Sequence, residues 1–152
     1  MKIVPKNLDN LFTNKTFGKI IPIKLLSSKS WSEVQGSNNY SFAIHQGFKG
    51  KKSDHAFSLD NNNVIELILS GYEEGLDAYT LAHLPNVLAK ADLSPDDFCF
   101  KLDNTNDFEN DELVRLYVSW ALGHYKYLNF KDEPSSPAYK ILIDDECKYI
   151  NG

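Results

Sequence analysis

The side chains best suited to catalysis or metal binding in this 152-residue sequence are its histidines, but their spacing predicts no metal site. No two of them are three or four residues apart, the separation that brings two ligands onto one face of a helix. A zinc site needs three or four converging ligands, so none of these histidines is predicted to bind a metal. The four are His45, His55, His83 and His124.

Serine and carboxylate residues also form no recognisable catalytic pattern. Ser53-Asp54-His55 contains the three residue types of a hydrolytic triad, but a triad is defined by spatial geometry, and no Gly-x-Ser-x-Gly motif is present. Asp96-Asp97 and Asp144-Asp145-Glu146 are adjacent carboxylates, which point to opposite faces of a strand, so solvated loop ends are expected. We therefore predict no catalytic, cofactor-binding or metal-binding residue in this chain.

Composition indicates one globular domain and argues against several classes of partner. Apolar residues make up 42% and charged residues 24%, as in an ordinary globular protein. The net charge is −5, and the basic cluster Lys49-Gly50-Lys51-Lys52 has no aromatic or arginine platform, so no nucleic-acid partner is expected. Cys99 and Cys147 are too few for a disulfide framework. No segment resembles a signal peptide or a membrane span, so a cytoplasmic protein without membrane contact is expected.

The first half of the chain predicts a strand, two short helices and a hairpin. Lys19 to Leu26 is an apolar strand whose Pro22 cannot donate to a ladder, so the strand is expected near an edge or with a late start. Ser30, with Glu33 three residues later, matches a capping box, and Asn38-Asn39 could cap a second helix. Residues 55–60 and 64–70 flank an asparagine turn and should pair antiparallel.

The second half of the chain alternates helices and strands. The apolar spacing of residues 77–90 predicts a helix that Pro85 divides or kinks. Strands are predicted at residues 97–102 and 139–143, and a helix capped by Asn110 is predicted to run to about Tyr125. Alternation of this kind predicts a three-layer α/β domain with a mixed sheet flanked by helices.

The helix that follows Asn110 is unusually apolar around its circumference. Its main apolar stripe ends at His124, where a histidine can bond the last carbonyls of the helix. A second apolar row lies beside that stripe, so we expect another domain or another subunit to cover it, unless the loop 129–138 folds back over it. The predicted interface residues are Val114, Val118, Trp120, Leu122 and Tyr125.

The end of this helix carries a motif that resembles a known family. Trp120-Ala-Leu-Gly-His-Tyr-Lys-Tyr-Leu-Asn-Phe-Lys131 is similar to the end of the N-terminal domain in the leucyl (cytosol) aminopeptidase family. The bacterial branch with a short N-terminal domain is the most similar. Other similar pieces are Ser70-Gly71, Leu81-Ala-His-Leu-Pro85 and residues 139–143, so the resemblance covers roughly residues 20–145. His124 stands where that family commonly has a small residue.

The resemblance implies that the whole chain, residues 1–152, is a single macro-like N-terminal domain without catalytic residues. In that family a separate C-terminal domain binds two divalent metal ions, Zn or Mn, and removes N-terminal amino acids from peptides. The parent is then expected to be a homohexamer of paired trimers, with this domain contacting its own catalytic domain and neighbouring subunits. This would make the domain a contributor to assembly and active-site access.

Two alternatives remain open from the sequence alone. The chain could be a stand-alone macro-like ligand-binding module, since other macro-like folds bind ADP-ribose, although fold alone does not establish a ligand. It could also be a small interaction protein that uses the apolar helix as its docking surface.

Overall fold

A computed structural model describes residues 11–73, 75–76, 79–124 and 138–143 of the chain. Its strands are β1 (Phe12–Thr13), β2 (Lys19–Leu26), β3 (His55–Leu59), β4 (Ile65–Gly71), β5 (Phe98–Leu102) and β6 (Lys140–Leu142). Its α-helices are α1 (Ser28–Val34), α2 (Ser41–His45), α3 (Leu84–Lys90) and α4 (Asn110–Leu122). Short 3-10 turns occupy Asn38–Tyr40, Pro95–Asp97 and Thr105–Asp107.

The strands form one mixed sheet with the order β1-β6-β5-β2-β4-β3. Only β3 is antiparallel to its neighbour among these strands, and it lies at one edge beside β4. Ile68 and Leu69, which are adjacent in β4, belong to different apolar clusters because neighbouring strand residues face opposite sides of a sheet. One cluster contains the buried side chains of α3 and α4, and the other contains those of α1 and α2. The predicted three-layer α/β fold is therefore confirmed.

The position of β2 decides between the two expectations raised by Pro22. The edge position is wrong, because β2 lies in the centre of the sheet between β5 and β4, whereas the late start is observed in the ladder to β4. Its ladder to β5 extends over residues 19–23, whereas its ladder to β4 begins at Ile23, directly after the proline. The missing N–H of Pro22 thus falls outside the β4 ladder, and the central strand tolerates it.

The predicted helix caps lie a few residues from the observed ones. Ser27, rather than Ser30, caps α1, and Ser30 is the residue that completes its capping box. Ser37 caps the 3-10 turn Asn38–Tyr40 that leads into α2, so Asn38 is inside a turn rather than at a cap. The α4 capping box is formed by Glu109 with Glu112, and Asn110 is the first helical residue. A glutamate can serve here because its carboxylate accepts the same backbone N–H groups.

The stretch before α3 also differs from its prediction. The described residues 79–83 form turns, and the helix begins at Leu84, so Pro85 lies in its first turn rather than at a kink. Proline is well tolerated there because the first helical N–H groups have no partner within the helix. The hairpin and the strands β5 and β6 confirm the predictions for those segments, while Tyr125, the predicted end of α4, lies outside the described residues.

Candidate interaction surface and buried histidines

The main apolar stripe of α4 is buried against the sheet. Leu116, Tyr117 and Trp120 are almost fully inaccessible to solvent. Trp120 packs against Phe100, with ring centroids 5.5 Å apart, and its Nε1–H donates to the Tyr139 carbonyl over 3.0 Å. The sequence placed Trp120 in an interface, whereas the structure places its side chain in the core of this chain.

The second apolar row of α4 lies at the surface of the described structure. Val118 is 39% exposed, and Val114 and Leu122 are half-buried. Tyr125, the remaining predicted interface residue, is outside the described residues. A valine exposed in the middle of a buried helix is a small apolar surface that another chain or domain can cover. This surface, Val114 with Val118 and Leu122, is the candidate interaction surface.

His124 joins the end of α4 to strand β6. Its ring is fully buried, Nε2 accepts the Tyr139 backbone N–H over 3.1 Å, and Nδ1 lies 2.9 Å from the Trp120 carbonyl oxygen. Because Nε2 acts as an acceptor, the proton of the neutral ring is on Nδ1, which donates to Trp120. Burial lowers the pKa of His124 to about 4, and the bond to the Trp120 carbonyl opposes that shift. The predicted capping role is confirmed, and the bond to Tyr139 extends it.

Two further contacts fix the turn 79–83 on the same helix. Ser119 is fully buried, accepts the Leu81 N–H over 2.9 Å and donates to the Leu116 carbonyl over 2.6 Å. At Gly123 a side chain would collide with the Ala82 carbonyl, so the close packing of this turn on α4 requires glycine. Ser119 and His124, the two buried polar side chains near this end of α4, are thus hydrogen-bonded within the chain.

A second histidine site lies at the carboxyl end of β4. His83 and His55 face each other with ring centroids 5.6 Å apart, although 28 residues separate them in sequence. Both ring nitrogens of His83 are buried and have no hydrogen-bond partner among the described residues, and the same holds for the hydroxyl of Ser70, the cross-strand neighbour of His55. Burial lowers the pKa of His83 to about 4, His55 lowers it further, and Asp54 opposes the shift.

These residues do not make a metal or hydrolytic centre. The described residues contain no group of three histidine, cysteine or acidic side chains that could hold a metal ion. The Asp54 carboxylate accepts the backbone N–H groups of Lys49 and Lys51, over 3.0 and 3.1 Å, instead of orienting a histidine. The two catalytic metals implied by the resemblance therefore do not fit the described residues of this chain.

The carboxyl end of the central strands is the usual place for a ligand in an α/β sheet. Here the side chain of Asn104 occupies it: Oδ1 accepts the Leu25 N–H over 3.0 Å, and Nδ2 donates to the Leu25 carbonyl over 2.8 Å. The same Nδ2 also lies 2.9 Å from Asp107, one of the acidic residues near this edge. The amide therefore continues the sheet between β2 and β5. No spacing rule could have found it, because Asn104 and Leu25 are 79 residues apart.

The remaining residues considered from the sequence have structural positions. Asp96 and Asp97 lie in an exposed 3-10 turn, and Cys99 is buried in β5, where burial raises the pKa of its thiol. Cys147, Asp144-Asp145-Glu146 and the motif after His124 fall outside the described residues. In the described part of the chain, no helix is both long enough and apolar enough to span a membrane.

Comparison with known proteins identifies the family. A crystal structure of cytosol aminopeptidase from Coxiella burnetii has the same fold, with a TM-score of 0.65 and 20% sequence identity. The match covers 92% of this chain but only 29% of that protein. No curated protein sequence matches the chain. The model of the M17 aminopeptidase N-terminal domain matches residues 21–143, most of the sequence, and the chain therefore belongs to that family of aminopeptidase N-terminal domains.

Proposed function

We propose that residues 1–152 are the non-catalytic N-terminal domain of a metal-dependent leucyl-type aminopeptidase. The observation that carries the proposal is the family match over residues 21–143. The chain spans less than a third of the length of the similar cytosol aminopeptidase. A separate catalytic domain would then hold the two divalent metals, Zn or Mn, and act on peptides.

The role of this domain in the proposal is to support assembly and access to the active site. The candidate interaction surface on α4 favours this role, because Val118 is exposed on a helix whose other face is core. Burial of such a row by the catalytic domain or by a neighbouring subunit would remove apolar surface from water, at about 25 cal/mol per Å². A homohexamer of paired trimers is the assembly we propose for the parent.

A stand-alone ligand-binding role is less well supported. The side chain of Asn104 bonds both backbone groups of Leu25 at the edge where an α/β sheet would receive its ligand. A ligand entering between β2 and β5 would have to break both hydrogen bonds and leave those buried groups without partners. Calorimetry with ADP-ribose at millimolar concentration should accordingly give no binding heat.

The catalytic part of the proposal is tested by comparing this chain with its full-length parent. The isolated chain should not hydrolyse leucine anilides with Zn or Mn present, whereas the parent should. Turnover by a pure preparation of residues 1–152 would contradict the assignment of the chemistry to another domain.

The assembly part is tested in the parent by Val118→Glu, with Ile44→Glu as a matched control. Both residues are exposed, β-branched aliphatic side chains on helices. Ile44, however, lies on α2, across the sheet from α4. A buried carboxylate lacking a partner is strongly disfavoured, so Val118→Glu should lower the oligomeric mass measured by light scattering, and Ile44→Glu should not. Equal behaviour of the two variants would contradict the proposed interface.

A further inference from the structure

The edge strand β3 has one side that no other strand of the described residues covers. The Asp54 carbonyl accepts the Gly71 N–H of β4, so by alternation along the strand the backbone groups of Ala56 and Ser58 also face β4, whereas those of Phe57 face the outer side. An edge strand of this kind can receive an extended segment of another chain. Leu59, at the end of the strand, is half-exposed and adds apolar character to the edge.

The outer groups of Phe57 are both occupied by one side chain. Gln46 Oε1 accepts the Phe57 N–H over 3.0 Å, and Gln46 Nε2 donates to the Phe57 carbonyl over 2.8 Å. The primary amide therefore makes the two hydrogen bonds that a neighbouring strand would make at this position. Asn104 does the same to Leu25 inside the sheet, but Gln46 does it at the solvent edge.

The end of α2 holds Gln46 in place. Gln46 is the residue at which α2 ends, and its backbone N–H bonds the carbonyls of the last helical turn. The chain then turns at Gly47, where φ is +79°, and Phe48 is buried in the same apolar cluster as Ala43 and Ala56. The backbone of Gln46 is thus anchored beside β3, although its side chain is exposed.

We propose that Gln46 closes the β3 edge against strand addition, and that the segment it excludes is β3 of a second copy of this chain. Two copies of β3 can pair antiparallel about Phe57, whose outer N–H and carbonyl then bond the same groups of the partner. The Gln46 amide competes for those two groups within its own chain. Because the competitor is intramolecular, the edge stays closed at ordinary protein concentration.

The principal test removes the amide and measures self-association. Gln46→Ala should sediment with a mass that rises with concentration toward twice that of the monomer. Gln35→Ala is the matched control, since Gln35 is an exposed glutamine at the end of α1, and it should sediment like the unmodified chain. Adding Leu59→Lys to Gln46→Ala should restore the behaviour of the unmodified chain, because a lysine on an edge strand opposes strand addition.

Hydrogen exchange of the Phe57 amide gives a second measurement, and its first part uses the unmodified chain alone. In the unmodified chain this amide should be protected, and in dilute Gln46→Ala it should exchange on the order of tenfold faster, as expected for loss of one hydrogen bond. Unprotected exchange of Phe57 in the unmodified chain would overturn the proposal. So would a folded Gln46→Ala variant that shows no more self-association than Gln35→Ala, or association that Leu59→Lys does not reverse.

Discussion

Two buried histidines, one directly before α3 and one just after α4, share a lowered pKa but differ in bonding. His124 uses both ring nitrogens, one toward Trp120 and one toward Tyr139. Neither ring nitrogen of His83 has a hydrogen-bond partner among the described residues, and its ring faces that of His55 with centroids 5.6 Å apart. The two histidines therefore share a lowered pKa, but of the two only His124 connects parts of the chain through hydrogen bonds. Bonding, not burial, distinguishes a structural histidine.

Two fully buried serines, one on α4 and one on β4, differ in their hydrogen bonding in the same way. Ser119 on α4 accepts from Leu81 and donates to Leu116, whereas the hydroxyl of Ser70 on β4 has no partner in the part of the chain that the structure describes. The carboxyl end of α4 is thus a satisfied polar region, and the carboxyl end of β4 is an unsatisfied one. We expect the first to contribute stability and the second to cost it.

The largest difference in the free energy of unfolding is expected between two single variants, in which one or the other histidine is replaced by leucine. His124→Leu leaves the Tyr139 N–H and the Trp120 carbonyl buried without these partners, so the free energy of unfolding should fall by about 3 kcal/mol. His83→Leu removes two unbonded nitrogens and should change the free energy of unfolding by no more than about 1 kcal/mol, in either direction. Urea denaturation followed by tryptophan fluorescence measures both. Similar losses of unfolding free energy in the two variants would contradict the difference in bonding between the two histidines.

The pH dependence of stability should show the two histidines together. Each pKa is lowered from 6.5 to about 4 in the folded state, so the unfolded state binds protons first as the pH falls. The stability is therefore complete above pH 6.5 and is lost progressively as the pH falls toward 4. Linkage gives a loss of roughly 1.4 kcal/mol per histidine at pH 5.5.

The His83→Leu variant isolates one of those two contributions. Between pH 7.5 and pH 5.5 it should lose roughly 1.4 kcal/mol less than the unmodified chain, measured as the difference in urea unfolding free energy. Ser70→Ala is the control from the same site, because it removes no titratable group and should keep the full pH dependence. An unchanged pH dependence in His83→Leu would show that His83 is not held neutral by the fold.

Local patterns in the sequence were sufficient for most of the fold. Apolar runs of strand length located β2, β4 and β5, and the 3.6-residue spacing located α4. Pro22 correctly indicated the late start of the β4 ladder, but it did not predict the central position of β2, which follows from the burial of Ile21, Ile23 and Leu25. The caps shifted by one to three residues, since Ser27 and Ser30 are both able to serve, and only the backbone decides between them.

The contacts that define the sites were beyond those patterns because they join distant parts of the chain. Asn104 and Leu25, Gln46 and Phe57, and His55 and His83 are brought together by the topology of the sheet. His124 was recognised as a capping residue because that role is local, whereas its bond to Tyr139 is not. A side-chain amide that continues a sheet has no sequence signature, because an exposed asparagine or glutamine without such hydrogen bonds looks the same in the sequence.

The smallest effect is expected from alanine substitutions of the two buried serines, which are also the most closely matched pair of variants. Ser119→Ala and Ser70→Ala remove the same single oxygen from two fully buried positions, so their transfer and cavity contributions are matched. Ser119→Ala also leaves the Leu81 N–H without its acceptor, which should cost about 1 kcal/mol. Ser70→Ala breaks no bond and should be neutral or slightly stabilising. If thermal unfolding shows Ser70→Ala to be the more damaging of the two, its hydroxyl has a bound water as partner, and the carboxyl end of β4 is satisfied after all.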